Sequence, residues 1–164
     1  HMITIKFEDR TVLDALSRLQ RKTSDLSPLM HEIGEYLTET TKRRFDTSTA
    51  PDGTRWAQNS PMTIRQSMGK TSKARTGIKK PLISGRSGMQ SSMMATINYN
   101  AGRDFVEIGS PKEFAAMQHF GGQKSKFPHL WGDIPARPFL GISDQDHRSI
   151  LDTISDYLNR SVRP

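Results

Sequence analysis

Five histidines, at positions 1, 31, 119, 129 and 147, are the side chains best suited to move a proton near neutral pH. His119 and His129 stand near Asp133, the one grouping that suggests a metal. Their spacing matches no zinc pattern, and ten residues of loop separate the two rings. Asp144 and Asp146 could serve as an acid–base pair. They sit at the start of a helix-like segment, where a carboxylate complements the helix dipole, and capping accounts for them better. The chain has no GxSxG, HExxH, Walker loop, or GxGxxG ahead of a helix. It has no cysteine, which removes disulfides, thiolate metal sites and a thiol nucleophile, and which suits a reducing compartment. The expectation is a chain with no catalytic residue, no metal and no cofactor.

Charge is the stronger signal. From Gly53 to Arg103 there is no Asp or Glu, while Arg55, Arg65, Lys70, Lys73, Arg75, Lys79, Lys80, Arg86 and Arg103 carry nine positive charges. The net charge is +7, so the rest of the chain stands at −2. Such asymmetry points to a polyanion or an acidic protein surface, or simply to a solvated loop. Within it, residues 66–80 read as a flexible basic loop. Lys70, Lys73, Arg75, Lys79 and Lys80 are the candidate contacts to DNA or an acidic partner. Residues 69–80 hold no aromatic ring for base stacking, and no helix-turn-helix, zinc finger or RNA-recognition signature is present. Any DNA contact is expected to be backbone-directed and salt-sensitive.

The elements that position these groups are few. The length of 164 residues favours a single domain spanning 1–164, with residues 1–2 read as a tag remnant. Apolar residues make up 34% of the chain and mean hydropathy is −0.64, so the core is modest. No run of 18 apolar residues exists to span a membrane, and the start HMITIKF lacks the core of a signal peptide. Residues 3–7 alternate like a strand. Asp9 or Thr11 caps a helix carrying Val12, Leu13, Leu16 and Leu19 that ends near Thr23. Ser27-Pro28 opens the longest helix, about 28–45, with Met30, Ile33, Leu37, Thr41 and Phe45 on one stripe. Pro51-Asp52-Gly53 is a turn, and Trp56 anchors the loop behind it. A short helix follows at 61–68, and Ser84-Gly85 turns tightly.

Residues 93–99 and 103–109 form the best hairpin in the sequence, with Phe105, Val106 and Ile108 packing. Ser110-Pro111 starts a helix holding Phe114, Ala115, Met117 and Phe120, which Gly121-Gly122 stops. Ser143 caps a final helix over 144–160 with Ile150, Leu151, Ile154, Tyr157 and Leu158 apolar. The fold class is α+β: a small antiparallel sheet packed on a long helix, with a C-terminal helix and a mobile basic loop. Between the last two helices lies IPARPFLGIS, 134–143. Proline donates no ladder hydrogen bond, so Pro135 and Pro138 confine this extended piece to a sheet edge or to a place outside the sheet.

The order of these motifs resembles the phage virion morphogenesis (tail completion) family of Mu-like and related contractile-tailed phages. The resembling residues are PDGTRW at 51–56, PLISGRSGMQSS at 81–92 and FVEIGS at 105–110. EFAAMQHFGG at 113–122 and IPARPFLGIS at 134–143 follow, before a helix ending in DYL at 156–158. Met89 stands where a leucine is expected, a conservative departure, and the insert at 66–80 carries no family role. The resemblance implies a structural virion protein, not an enzyme, that completes the tail and takes part in head–tail joining as a ring of six copies. Its implied partners are itself, the tail tube or terminator, the head connector and, non-specifically, DNA in the channel. Its implied place is the bacterial host cytoplasm during assembly and then the virion. Pro135, Arg137, Pro138, Phe139 and Leu140 are the candidate interface, with Phe139 and Leu140 anchoring either in the fold or in a neighbour. The alternative is a small basic protein that binds DNA non-specifically.

Overall fold

Three apolar stripes read from the sequence become one helical layer. The computed structural model describes residue 3 and residues 9–23, 25–61, 93–112, 114–130 and 132–162. In chain order its elements are α1 (Arg10–Gln20), α2 (Ser27–Thr47), a 3-10 turn (Met93–Thr96), β1 (Asn98–Ala101), β2 (Val106–Gly109), α3 (Ala115–Phe120) and α4 (Asp144–Val162). The fold is α+β, and among the described residues these elements are four α-helices and a two-stranded antiparallel sheet. The expected strand at 3–7 (Ile3 apart), the helix at 61–68 beyond Pro61, the loop at 66–80 and the turn at 84–85 lie outside the described residues.

Asp9 caps α1 by accepting from the Val12 amide at 3.1 Å, and its other oxygen lies 2.5 Å from His147 Nδ1 on α4. The helix stops at Gln20, a little short of Thr23. α2 begins at Ser27 itself, with Pro28 in the first turn where no amide is needed. The capping oxygen is not that of Ser27: Asp25 Oδ1 accepts from the Ser27 amide at 2.9 Å. α2 ends on Ser48, left-handed at φ 54°. Leu29, Met30, Ile33, Leu37, Thr41 and Phe45 are buried along it, and the Thr41 hydroxyl is satisfied by the Leu37 carbonyl at 2.6 Å.

The hairpin exists but is shorter and shifted. Its register pairs Asn98 with Gly109 and Ala101 with Val106. Residues 93–96, expected in the first strand, turn instead, because the Thr96 hydroxyl donates to the Met93 carbonyl at 2.7 Å. Phe105 does not enter the core; it is 45% exposed. Its ring lies over Gly102, where a Cβ would overlap it. The sheet packs on α2 at Gly34: a Cβ there would meet the Tyr99 ring at 2.4 Å, so glycine lets the two elements approach.

Two apolar clusters result. One gathers Leu19, Leu26, Leu29, Met30, Ile33, Leu37, Ile150 and Ile154 from α1, α2 and α4. The other gathers Phe45, Ala50, Trp56, Met93, Ile97, Ala115, Phe139 and Leu140 around the lower end of α2. Ile108 packs against both.

Candidate functional site

Residues 134–143 form an extended strap outside the sheet. Main-chain groups that a sheet would pair with a neighbouring strand are met here mostly by side chains. At its start Ile134 and Gly122 exchange both backbone hydrogen bonds, at 2.7 and 2.9 Å. The Arg137 amide donates to the Gln118 carbonyl at 2.8 Å. The amides of Phe139 and Leu140 both donate to His119 Nδ1, at 3.3 and 3.4 Å. The carbonyl of Pro138 accepts from Trp56 Nε1 at 2.7 Å. The carbonyls of Phe139 and Gly141 accept from Arg44 Nη1 at 2.8 and 3.2 Å. Pro135 and Pro138 have no amide hydrogen, so the strap leaves no unmet donor at either position.

The local chemistry follows from these contacts. Gly121 takes φ 73°, and a Cβ there would lie 2.7 Å from both Ala136 N and Ile134 O. Only glycine permits both the turn and the close approach of the strap. His119 accepts on Nδ1, so the proton of its neutral ring sits on Nε2. Burial pushes its pKa below the usual histidine range. Its ring meets Phe139 edge-on with centroids 5.2 Å apart, and Phe139 meets Phe45, which meets Trp56.

At the far end, Ser143 and Asp146 cap α4 reciprocally: Asp146 N donates to Ser143 Oγ and Ser143 N to Asp146 Oδ2, each at 3.0 Å. Asp146 also pairs with Arg44 at 2.5 Å and accepts from the Tyr36 hydroxyl at 3.1 Å. The Arg44 and Asp146 side chains are 6% and 1% exposed. Burial pulls the Arg44 guanidinium down from its ordinary value, and the Asp146 charge opposes that pull.

The sequence-predicted residues fall into three groups. Phe139 and Leu140 are buried in the chain's own core. Arg137 is also buried, its guanidinium donating to the carbonyls of Ala57 and Gln58 at 2.9 Å each. Burial without a carboxylate lowers its pKa too. Pro135 is exposed and Pro138 half-buried. Lys70, Lys73, Arg75, Lys79 and Lys80 lie outside the described residues.

Three motifs that are far apart in sequence therefore meet. PDGTRW contributes Trp56 and the Pro51 ring against Gly141, HFGG contributes His119, Gly121 and Gly122, and IPARPFLGIS threads between them. The capping read for Asp146 is borne out, while its pairing with Arg44 and the acceptor role of His119 were missed by sequence reasoning. A charged residue on the buried stripe of α2, and the Ser-x-x-Asp spacing at 143–146, were the available signals. His129 is exposed against Phe127, and among the described residues no cluster of three or more His, Asp or Glu could hold a metal.

The phage virion morphogenesis family model matches residues 7–159. The chain belongs to the phage virion morphogenesis family. It is 27% identical to Mu-like prophage FluMu G protein 2 of Haemophilus influenzae, over 99% of this chain and 100% of that protein. It is 27% identical to tail completion protein S of Escherichia phage P2, over 94% of this chain and 97% of that protein. A shorter match, 34% identical over 68 residues, is to the putative capsid assembly protein G of Escherichia phage Mu, covering 42% of this chain and 43% of that protein. No solved structure matches. Membership makes this a phage virion structural protein with a role in virion morphogenesis. Among the described residues no helix is long and apolar enough to cross a membrane.

Proposed function

We propose that this chain, as a single domain, completes the phage tail and takes part in joining it to the head, acting as a ring of identical copies. The observation that carries the proposal is near end-to-end similarity to a tail completion protein, over 94% of this chain. Its work is assembly, with no bond made or broken. Support comes from the chemistry of the strap: His119, Arg44 and Asp146, the groups best able to act on a substrate, are buried and engaged with backbone or with each other. The tail tube or terminator and the head connector are its partners. Lys70, Lys73, Arg75, Lys79 and Lys80 are its contacts to DNA or an acidic connector surface, and assembly takes place in the host cytoplasm before the protein joins the virion.

The test is to delete the gene from a phage or prophage that carries it and to view lysates by electron microscopy. Filled heads and separate tails are expected, joined on adding the purified protein. Missing heads with normal tails would instead support a capsid assembly role.

A further inference from the structure

α3 leaves a row of aromatic rings in solvent. Its buried side is Ala115 and His119, so at roughly 100° per residue its outward arc is centred on Met117 and flanked by Phe114 and Phe120. Phe114 is 50% exposed and Phe120 64%. Both were read on this helix from the sequence; the six-residue helix turns them outward. The chain then folds back, so that Phe127, 38% exposed, and Met117 both lie against Gly122. Lys124 and Lys126 stand in the same loop, exposed. Among the described residues neither has a carboxylate within ion-pair distance. Asp133, the next acid in sequence, accepts from the backbone amide of Lys124. Covering three half-exposed phenylalanines removes on the order of 300 Å² from water. That is more than a third of the ~800 Å² each partner buries in a standard interface.

The opposite charge lies on the other half of the molecule. α2 and α4 border a groove of about 520 Å³ lined by Glu32, Thr153, Asp156, Asn159 and Arg160. Arg160 is taken by Glu32 through both carboxylate oxygens, at 3.1 and 3.0 Å. Asp156, and Asp152 one turn before it, are exposed with no cation at ion-pair distance among the described residues.

We propose that the aromatic–lysine surface formed by α3 and the loop after it docks on the acidic α2–α4 groove of a second copy. The contact is head-to-tail: the two patches differ and sit on different clusters of the fold, so repetition closes a ring or extends a row. Charge matching within one chain selects a second copy as the occupant. The inference rests on the self-assembly reading above and assigns the surfaces that reading needs.

The test is sedimentation of full-length chain with two charge-swapped variants, K124E/K126E and D152K/D156K, whose positions are exposed and whose circular dichroism should match wild type. Each variant alone is expected to weaken self-association at least tenfold. Mixed in equal amounts they should recover wild-type mass, because each supplies the surface its partner needs. F120S/F127S should weaken association without rescue by either variant. Wild-type mass in every single variant, or no recovery in the mixture, overturns the assigned contact and leaves tail completion standing. A wild type that stays monomeric at high concentration overturns both the contact and the ring. Head–tail joining in the lysate assay reports on tail completion independently of either.

Discussion

Leu29 and Phe139 are both wholly buried, yet what buries them differs in kind. In the same cluster as Leu29 are Leu19, Ile33, Ile150 and Ile154, apolar side chains on three helices, and Leu26 at the cap of α2. Most of their backbone hydrogen bonds run along the helices, with the Leu26 amide donating to the Arg103 carbonyl at 3.1 Å, so the side chains need only the right volume. Around Phe139 the chain is not in a helix or a ladder. Its amide needs His119, its carbonyl needs Arg44, and the carbonyl before it needs Trp56. Those partners must be those residues, because few others offer a buried acceptor or a fork of donors at the required place. The helical half therefore tolerates exchange of apolar residues, whereas the strap half constrains identity. Three of the family-like motifs, PDGTRW, HFGG and IPARPFLGIS, lie in the strap half.

The comparison breaks most visibly at Arg44. Arg44→Met leaves Asp146 buried without its cation and frees the carbonyls of Phe139 and Gly141. A loss of about 3–5 kcal/mol is expected in urea unfolding. The double variant R44M/D146L should lose less than R44M, since it removes the stranded charge. Equal or larger loss in the double variant would show that the strap, and not the ion pair, sets the cost.

Gly121→Ala comes next. It forces an L side chain into φ 73° and against the strap backbone, so about 2–3 kcal/mol is expected. Gly53→Ala shares the positive φ, 86°, but opens onto free space and should cost only about 1 kcal/mol. A similar loss in both would mean that the approach of the strap to Gly121 contributes nothing.

In the helical half, Leu29→Met is expected to cost less than about 1.5 kcal/mol. Arg137→Met, similar in length, loses two part-buried, charge-assisted hydrogen bonds to the carbonyls of Ala57 and Gln58 and should cost more, about 1–3 kcal/mol. Parity between the two would remove the distinction drawn here.

The smallest effect is a pH dependence at His119. Its folded pKa lies below the unfolded value of 6.5 because burial disfavours the charged ring. The unfolded chain thus binds more protons just below that value. The stabilisation is full above pH about 6.5 and is lost as pH falls toward the folded pKa. Denaturation midpoints should drop between pH 7.5 and pH 5.5, and His119→Asn should flatten that slope. An unchanged slope in the variant would reject the role given to His119.

What could be read from sequence tracks the same division. The stripe of α2, the proline at its first turn, the Pro51-Asp52-Gly53 turn, the Trp56 anchor and the stripe of α4 follow from local pattern. The hairpin was found, though its first strand was drawn too early because a threonine hydroxyl closes a 3-10 turn at 93–96. The burial of Arg44 with Asp146 joins residues 102 apart in sequence, and no local rule reaches that far. His119 is buried on α3 while Phe114 and Phe120 stay exposed, an arrangement that hydrophobicity alone does not foretell. The strap needs an acceptor there more than it needs another ring.

The central claim is that HFGG and IPARPFLG are one interlocked unit, and native-state hydrogen exchange tests it directly. The amides of Gly122, Ile134, Arg137, Phe139 and Leu140 all donate within that unit. In wild type they should be protected together, and in Gly121→Ala they should lose protection together while α1 amides keep theirs. Loss confined to Gly122 and Ile134, with Phe139 and Leu140 unchanged, would contradict the claim.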